Sequence, residues 1–558
     1  GYDVKQTADM GYVLVGVAKH PTTGDDDLVI IKTNENGNEE WSKKFGGTSH
    51  DAGSSIQQTE DGGYIITGYT RSKGNGNSDI WVIKTDSEGE LEWDQTFGGE
   101  SNDIGNDIKQ TKDNGFIIIG DTWSFGNGES DIYLIRLKGK GKNLYVSTTG
   151  SNNNSGTENS PYATIEYAIE NASNLDTVRI SGGVYNEWAI PIKDKSVSLI
   201  GNEGEEIIID GNGYNVPVIK IGYFNAYYGS ETGDYINDQI YLKNLTIKNS
   251  GDYAGLMIGN ANVKIESCTF EENTGGDYGG GLFVGSNAKV HVYNSIFQNN
   301  MGQRGGGIAY FKASGSINNS IIRNNKTSNT GGGVIITEGS NVNINNSIIH
   351  SNERVNNSHT LDGGGIAVNF SSNSTIYKTD VYNNSGSDGG GIYIESNSKI
   401  DFINSNVYNN ETGSNGSIFI ANGCELVFIN STWWANGKTI WNAGNMEVSY
   451  SSIEGGTGNI IEKNDGSTTW GSGNLAGTTD PQFTNPVNGD FSLQSNSPLI
   501  DSGDPDLDDD GITWDSDPDD QDPDGTRLDI GSKYYDQVMG CKDATAINYD
   551  PSATTDNG

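Results

Sequence analysis

Gly305-Gly306-Gly307-Ile308 is one of five copies of a three-glycine tag closed by an aliphatic residue. The others are Gly279-Gly280-Gly281-Leu282, Gly331-Gly332-Gly333-Val334, Gly363-Gly364-Gly365-Ile366 and Gly389-Gly390-Gly391-Ile392, with a weaker copy at Asn415-Gly416-Ser417-Ile418. The aliphatic positions step by 26, 26, 32, 26 and 26 residues. A second ladder runs in phase: Phe270, Phe297, Ile322, Ile349, Val381, Val407 and Trp433. Three residues after each stands an asparagine: Asn273, Asn300, Asn325, Asn352, Asn384, Asn410 and Asn436.

A period near 26 residues is one supersecondary unit stacked on copies of itself. The unit is too short and too β-rich for helical repeats. It fits one coil of a right-handed parallel β-helix, with aliphatics stacked inside and asparagines bonded from turn to turn. Between Val178 and about Ile453 the period gives ten to eleven coils, a rod about 50 Å long at the usual strand spacing. The 32-residue step marks an insertion around residues 354–362. A second, aromatic insertion carries Tyr223, Phe224, Tyr227, Tyr228 and Tyr235. Residues Ala163 to Ala172 read as a short amphipathic helix, with Ile165, Ala168, Ile169 and Ala172 on one face. Such a helix would cover the first coil, whose open end would otherwise expose core and strand edges.

Residues 1–138 hold a different repeat, of 52 residues. Gln6, Gln58 and Gln110 align; Gly16, Gly68 and Gly120 close one strand; Asp27, Asp79 and Asp131 open another; Trp41 and Trp93 open a third. Several short strands per unit of this length are the mark of β-propeller blades. Two full units and a third without its Trp strand are present. The expectation is that further blades precede Gly1 or that the units pack as an open array. The fold class is therefore all-β, a right-handed parallel β-helix preceded by incomplete β-propeller-like blades. Its expected parts are blades over 1–138, the β-helix over 143–500, an acidic β-helix end over 501–539, and the start of a small module over 540–558.

Net charge is −40 at pH 7. That argues against nucleic acid, which selects a basic face, and against anionic membranes. No apolar stretch is long enough to span a bilayer. The three cysteines have no metal-type spacing; Cys268 and Cys424 lie about six coils apart and read as buried small residues. The sharpest motif is Asp506-Leu507-Asp508-Asp509-Asp510-Gly511, half of a Ca²⁺ loop with glycine at its sixth position. Eleven acidic residues fall between positions 504 and 524. Asp506, Asp508 and Asp510, with Asp515 or Asp517 closing the sphere, are the expected ligands of a structural Ca²⁺; the alternative is a solvated acidic loop. For sugar contacts the candidates are Tyr227 and Tyr228 in the aromatic insertion and Trp434, which alternation turns away from the inward Trp433. His350, Arg354, His359 and Asp362 are the densest group of acid–base residues, and a solvated loop is the plainer reading of them. No catalytic residue is assigned.

Three stretches carry resemblances. Asn143-Leu144-Tyr145-Val146-Ser147, Ser160-Pro161-Tyr162-Ala163-Thr164-Ile165 and the following strands resemble the opening of secreted bacterial, pectate-lyase-like β-helix proteins. Asp480-Pro481-Gln482-Phe483, Ser497-Pro498-Leu499-Ile500-Asp501 and Asp524-Gly525-Thr526-Arg527-Leu528-Asp529-Ile530-Gly531 resemble their closing segment. Gly540-Cys541-Lys542-Asp543 with Ala546-Ile547-Asn548-Tyr549 is similar to a tandem repeat of large surface proteins exported by type IX secretion. That last resemblance implies a partner for Cys541 just past Gly558 and an extracellular or cell-surface location within a longer chain. The resemblances leave three functions open. One is a non-catalytic stalk or adhesin that contacts an extracellular polysaccharide or cell-surface glycan. The second is a polysaccharide lyase or glycoside hydrolase, and the third a subunit of a surface assembly.

Overall fold

The computed structural model describes residues 1–19, 24–111, 114–126, 129–139, 141–222, 235–285, 287–355, 363–437, 439–537, 539–540 and 555–556. Tyr227, Tyr228, His359, Asp362 and Cys541 lie outside them. The chain forms two compact units: Gly1–Lys142 with Ser173–Asp176, and Asn143–Ala172 with Thr177–Gly558. Among the described residues no helix is long and apolar enough to cross a membrane.

The first unit holds antiparallel sheets of four, four and three strands among the described residues, each a meander like a propeller blade. Every blade begins with a strand that the sequence reading passed over: Asp3–Gln6, Asp51–Gln58 and Asp103–Gln110. Their polar composition, and the register shift at Gly53/Ser55, hide the period-two signal. The aligned glutamines end these strands and tie blades together. Gln58 Oε1 accepts the Ala8 amide at 2.8 Å, and Gln110 Oε1 the Glu60 amide at 2.9 Å. Each full blade also buries one lysine between two carboxylates, Lys32 between Asp9 and Glu40 and Lys84 between Asp61 and Glu92.

The second unit is the solenoid. One coil runs through Lys289–Tyr293, Ile296–Gln298, Met301–Arg304 and Ile308–Phe311. These strands belong to four parallel sheets, called A, B, D and C in that order. Among the described residues the sheets have thirteen, eleven, five and eleven strands. Both inward ladders form in the expected register. Leu282, Ile308, Val334, Ile366, Ile392 and Ile418 pair in succession on sheet C. Phe270, Phe297, Ile322, Ile349, Val381, Val407 and Trp433 do so on sheet B. All are buried in one continuous core. Strands continue past Ile453, at Ile460–Glu462 and Ser467–Trp470, where polar residues had hidden the period.

The turns explain the rest of the repeat. At the B-to-D corner the first residue of each Asn-Asn pair takes a left-handed conformation, as at Asn299 (φ 56°) and Asn324 (φ 55°), where asparagine is tolerated better than most residues. The second turns inward and bonds to its counterpart. Asn300 Nδ2 donates to Asn325 Oδ1 at 2.9 Å, Asn325 to Asn352 at 2.9 Å, Asn352 to Asn384 at 2.9 Å and Asn384 to Asn410 at 3.0 Å. The glycine tag faces this ladder. A Cβ on Gly333 would lie 2.7 Å from Gly365 O and 3.0 Å from Asn352 Nδ2. In the degraded copy Ser417 takes the third glycine position and accepts the Trp433 Nε1 proton at 2.8 Å.

A hydroxyl ladder at the A-to-B corner went unforeseen. Ser320 Oγ accepts the Ser295 amide, Ser347 that of Ser320, Thr379 that of Ser347 and Ser405 that of Thr379. Cys268 stands one rung before Ser295, whose Oγ accepts its amide at 3.1 Å. Cys268 and Cys424 are both free and buried, and burial pushes the Cys268 thiol up to about 12.

The helix over the first coil spans Ile165–Glu170, shorter at both ends than its apolar face suggested. Thr164 Oγ1 accepts the Tyr167 amide, and the Glu187 carboxylate accepts the Ile165 and Glu166 amides at 2.8 and 2.9 Å. These acceptors satisfy the open N-terminal donors.

Candidate functional site

Sheet B turns every second residue outward, and the position after each inward ladder residue forms a column. Lys248, Glu271, Gln298, Arg323 and His350 occupy it in successive coils, followed by Tyr382, Tyr408 and Trp434. Three of them are bonded in series. Gln298 Nε2 donates to Glu271 Oε2 at 2.8 Å, while Arg323 Nε and Nη2 donate to Gln298 Oε1 at 3.0 and 2.7 Å. His350 stacks on Tyr382, ring centroids 4.9 Å apart and 3° from parallel. Burial, with Arg323 beside it, holds the His350 imidazole below its usual value.

Residues 480–537 return along the outside of this sheet. Phe483, Phe491, Leu493, Leu499 and Ile530 pack on Tyr382, with Ile348 and Tyr408 at the margin. Asp380, buried in the neighbouring outward column, accepts hydrogen bonds from Asn406 Nδ2 at 2.8 Å and from Ser532 Oγ. Burial raises its carboxyl. The tail thus walls off Tyr382 and Tyr408. The stretch from Lys248 to His350, about 20 Å at the spacing of stacked strands, lies on the coils before that wall. Polar pockets flank the A–B edge, one of about 380 Å³ beside Glu203, Glu205 and Lys243, the other of about 510 Å³ beside Lys378, Asp522 and Lys533.

Asp529 anchors the returning tail. Its carboxylate accepts the Asp501 and Tyr535 amides, both at 2.7 Å, and its own amide bonds to Asp522. Burial, with Asp522 and Asp501 nearby, raises it to about 7 despite those bonds. An unfolded aspartate releases its proton near pH 3.9. The docked tail therefore binds the extra proton between about pH 4 and 7, and this contribution to stability falls as pH rises across that window. Protease sensitivity within 480–537 should be higher at pH 8 than at pH 5, corresponding to about 2 kcal/mol, and Asp529→Asn should flatten the slope. Equal sensitivity at the two pH values would refute this.

Arg354 and His350 do not form a cluster. Arg354 lies on sheet D and donates to Ser387 Oγ at 3.1 Å, whereas His350 faces out from sheet B. Trp434 is half-buried at the end of the outward column, and Trp433 is core. The structure adds an exposed aromatic stack, Trp188 on Tyr214 at 4.1 Å. Nothing in sequence spacing announces that pair.

The acidic loop turns back at Gly511. Gly511, at φ 85°, donates to both oxygens of Asp506, at 3.4 and 3.2 Å. Asp506, Asp508 and Asp510 each bring one oxygen to within 4.8 Å of the others. Asp508, Asp517 and Asp520 form a second such group. Asp515 is in neither; it accepts the Thr513 hydroxyl at 2.8 Å.

A family model described as a right-handed β-helix region matches residues 312–465. Pectate lyase Pel9A is 17% identical with a TM-score of 0.45, covering 71% of this chain and 96% of its own. A rhamnogalacturonan lyase is 14% identical with a TM-score of 0.31, at 71% and 97% coverage. The surface protein and adhesin PfbA of Streptococcus pneumoniae is 15% identical with a TM-score of 0.24, at 55% and 94%. Among curated proteins, "Uncharacterized protein YwoF" of Bacillus subtilis (strain 168) is 34% identical over 94 residues, 15% of this chain. The match takes in a fifth of that relative's own length.

Proposed function

We propose that this chain is a non-catalytic segment of a secreted or cell-surface protein, a stalk or adhesin whose solenoid holds a glycan along the outer face of sheet B. One observation carries the reading: the bonded column Glu271–Gln298–Arg323, continued by His350. Its side chains are planar and polar, and each is held by a neighbour in an adjacent coil. Such a row presents fixed donors and acceptors to the hydroxyls of an extended chain, with little ordering left to lose on binding. The length of the row suits an oligosaccharide rather than a single sugar.

The same column speaks for binding rather than turnover. Glycoside hydrolysis needs two carboxyl groups facing one bond. Among the described residues the open part of the column offers Glu271 alone, already bonded to Gln298, while Asp380 is buried under the tail. A lyase reading has one observation in its favour, the depressed His350, which stays neutral and able to take a proton at pH 7.

Acidic and neutral polysaccharides separate the two. We expect calorimetry to find at least one that binds, with affinity falling about tenfold or more in Arg323→Ala, the loss of one charged hydrogen-bonding group. Neither unsaturated product nor new reducing ends should appear. Turnover of any polysaccharide, or binding indifferent to Arg323→Ala, would overturn the proposal.

A further inference from the structure

The acidic loop holds a carboxylate oxygen with nothing to bond. Asp520 is 1% exposed. Its Oδ1 accepts the Leu507 amide at 2.7 Å, whereas its Oδ2 is buried without a hydrogen-bond partner. A buried ionised oxygen left in this state is costly. Two further carboxylates, Asp508 and Asp517, each bring an oxygen to within 4.8 Å of an Asp520 carboxylate oxygen and of each other. Three like charges at such distances repel strongly unless a cation lies among them.

We propose that Asp508, Asp517 and Asp520 hold a Ca²⁺ ion, with Asp506 and Asp510 on the adjoining side of the same loop. Ca²⁺ fits the chemistry: the donors are hard oxygens, more of them are available than Mg²⁺ uses from protein, and the loop mixes buried with exposed ligands. Asp508 is common to both carboxylate groups, so it sits where the two halves of the site meet. Asp520 is the ligand the motif alone does not show, because it lies ten residues past the repeating aspartates.

The ion would act on how the tail docks. The backbone on both sides of the loop is tied to one solenoid turn: the Asp504 amide donates to Asn430 Oδ1 at 2.6 Å, and the Gly531 amide to Asn430 O at 2.7 Å. The Leu528 amide bonds to Asp520 O at 3.3 Å. An ion gathering Asp508, Asp517 and Asp520 closes the stretch between those anchors. It thereby holds the cover over Tyr382 and Tyr408.

The full chain, stripped with chelator, is titrated calorimetrically with CaCl₂ and then MgCl₂. Saturable Ca²⁺ binding is expected, at affinities anywhere up to about millimolar. Binding should weaken about tenfold or more in Asp520→Asn and in the exposed Asp508→Asn, and stay unchanged in Asp515→Asn. Ca²⁺ should also protect residues 504–529 from protease, with the solenoid's circular dichroism unaltered. No saturable binding by the wild type, or wild-type affinity in both Asp520→Asn and Asp508→Asn, overturns the site. The experiment is independent of glycan binding, so failure of either proposal leaves the other standing.

Discussion

Asn325→Ala is expected to destabilise its part of the solenoid by about 4–6 kcal/mol, more than Ile366→Ala, although it removes fewer atoms. The reason lies in what the amide serves. Asn325 Oδ1 accepts both the Asn300 amide at 3.0 Å and Asn300 Nδ2 at 2.9 Å. Its Nδ2 donates to Phe297 O and to Asn352 Oδ1, both at 2.9 Å. Truncation strands two donors of Asn300 in a site with no exposure and takes one bond from the Phe297 carbonyl. Each buried group left unpaired costs about 1–3 kcal/mol. Ile366→Ala strands nothing polar and costs the transfer and cavity terms alone, about 2–5 kcal/mol. In a solenoid each coil contacts its neighbours, so the loss is local. Hydrogen exchange should accelerate at Asn300 and in the adjoining coils, leaving the first coils untouched. If Asn325→Ala proves milder than Ile366→Ala, water replaces the amide and the ladder is not what holds the corner.

That ladder was legible in the sequence, and the docked tail was not, for one physical reason. Ladder contacts repeat at a fixed offset, so each copy supports the others, and Asn300 predicts Asn325. Tail contacts occur once and span more than a hundred residues. Asn406 Nδ2 meets Ser532 Oγ at 2.9 Å across 126 residues, and Asn404 meets the Asp529 carbonyl across 125. No period records such pairs. The sheet B column lay between these cases. Glu271, Gln298, Arg323 and His350 each follow an inward ladder residue by one position, so the register that placed Phe297 inside also placed Gln298 outside. Composition alone misses them, because it averages over positions that alternation separates. The acidic loop was half legible. Asp506, Asp508 and Asp510 announce themselves by spacing, whereas Asp520 joins Asp508 only through a fold that buries it.

Gly390→Ala should cost about 3 kcal/mol and loosen sheet D around it, whereas Gly413→Ala should be nearly silent. Neither glycine has a positive φ, so backbone freedom does not distinguish them; space does. A Cβ on Gly390 would stand 1.9 Å from Glu411 O and 2.8 Å from Glu411 C, both backbone atoms of the next coil. Those atoms cannot swing aside, because the Glu411 amide is itself bonded to Asn384 O at 2.8 Å. The added methyl therefore pushes strand Glu411–Asn415 away from Ser385–Asp388, or pushes the glycine corner off the asparagine ladder beneath it. A Cβ on Gly413 meets nothing nearer than 3.5 Å. Thermal melts give the difference in stability, and exchange at Ser385–Asp388 and Glu411–Asn415 locates it. Equal effects for the two variants would mean that the glycine tag serves chain flexibility rather than close approach between coils. The tag's middle glycine would then lose its explanation, since its φ asks for no glycine at all.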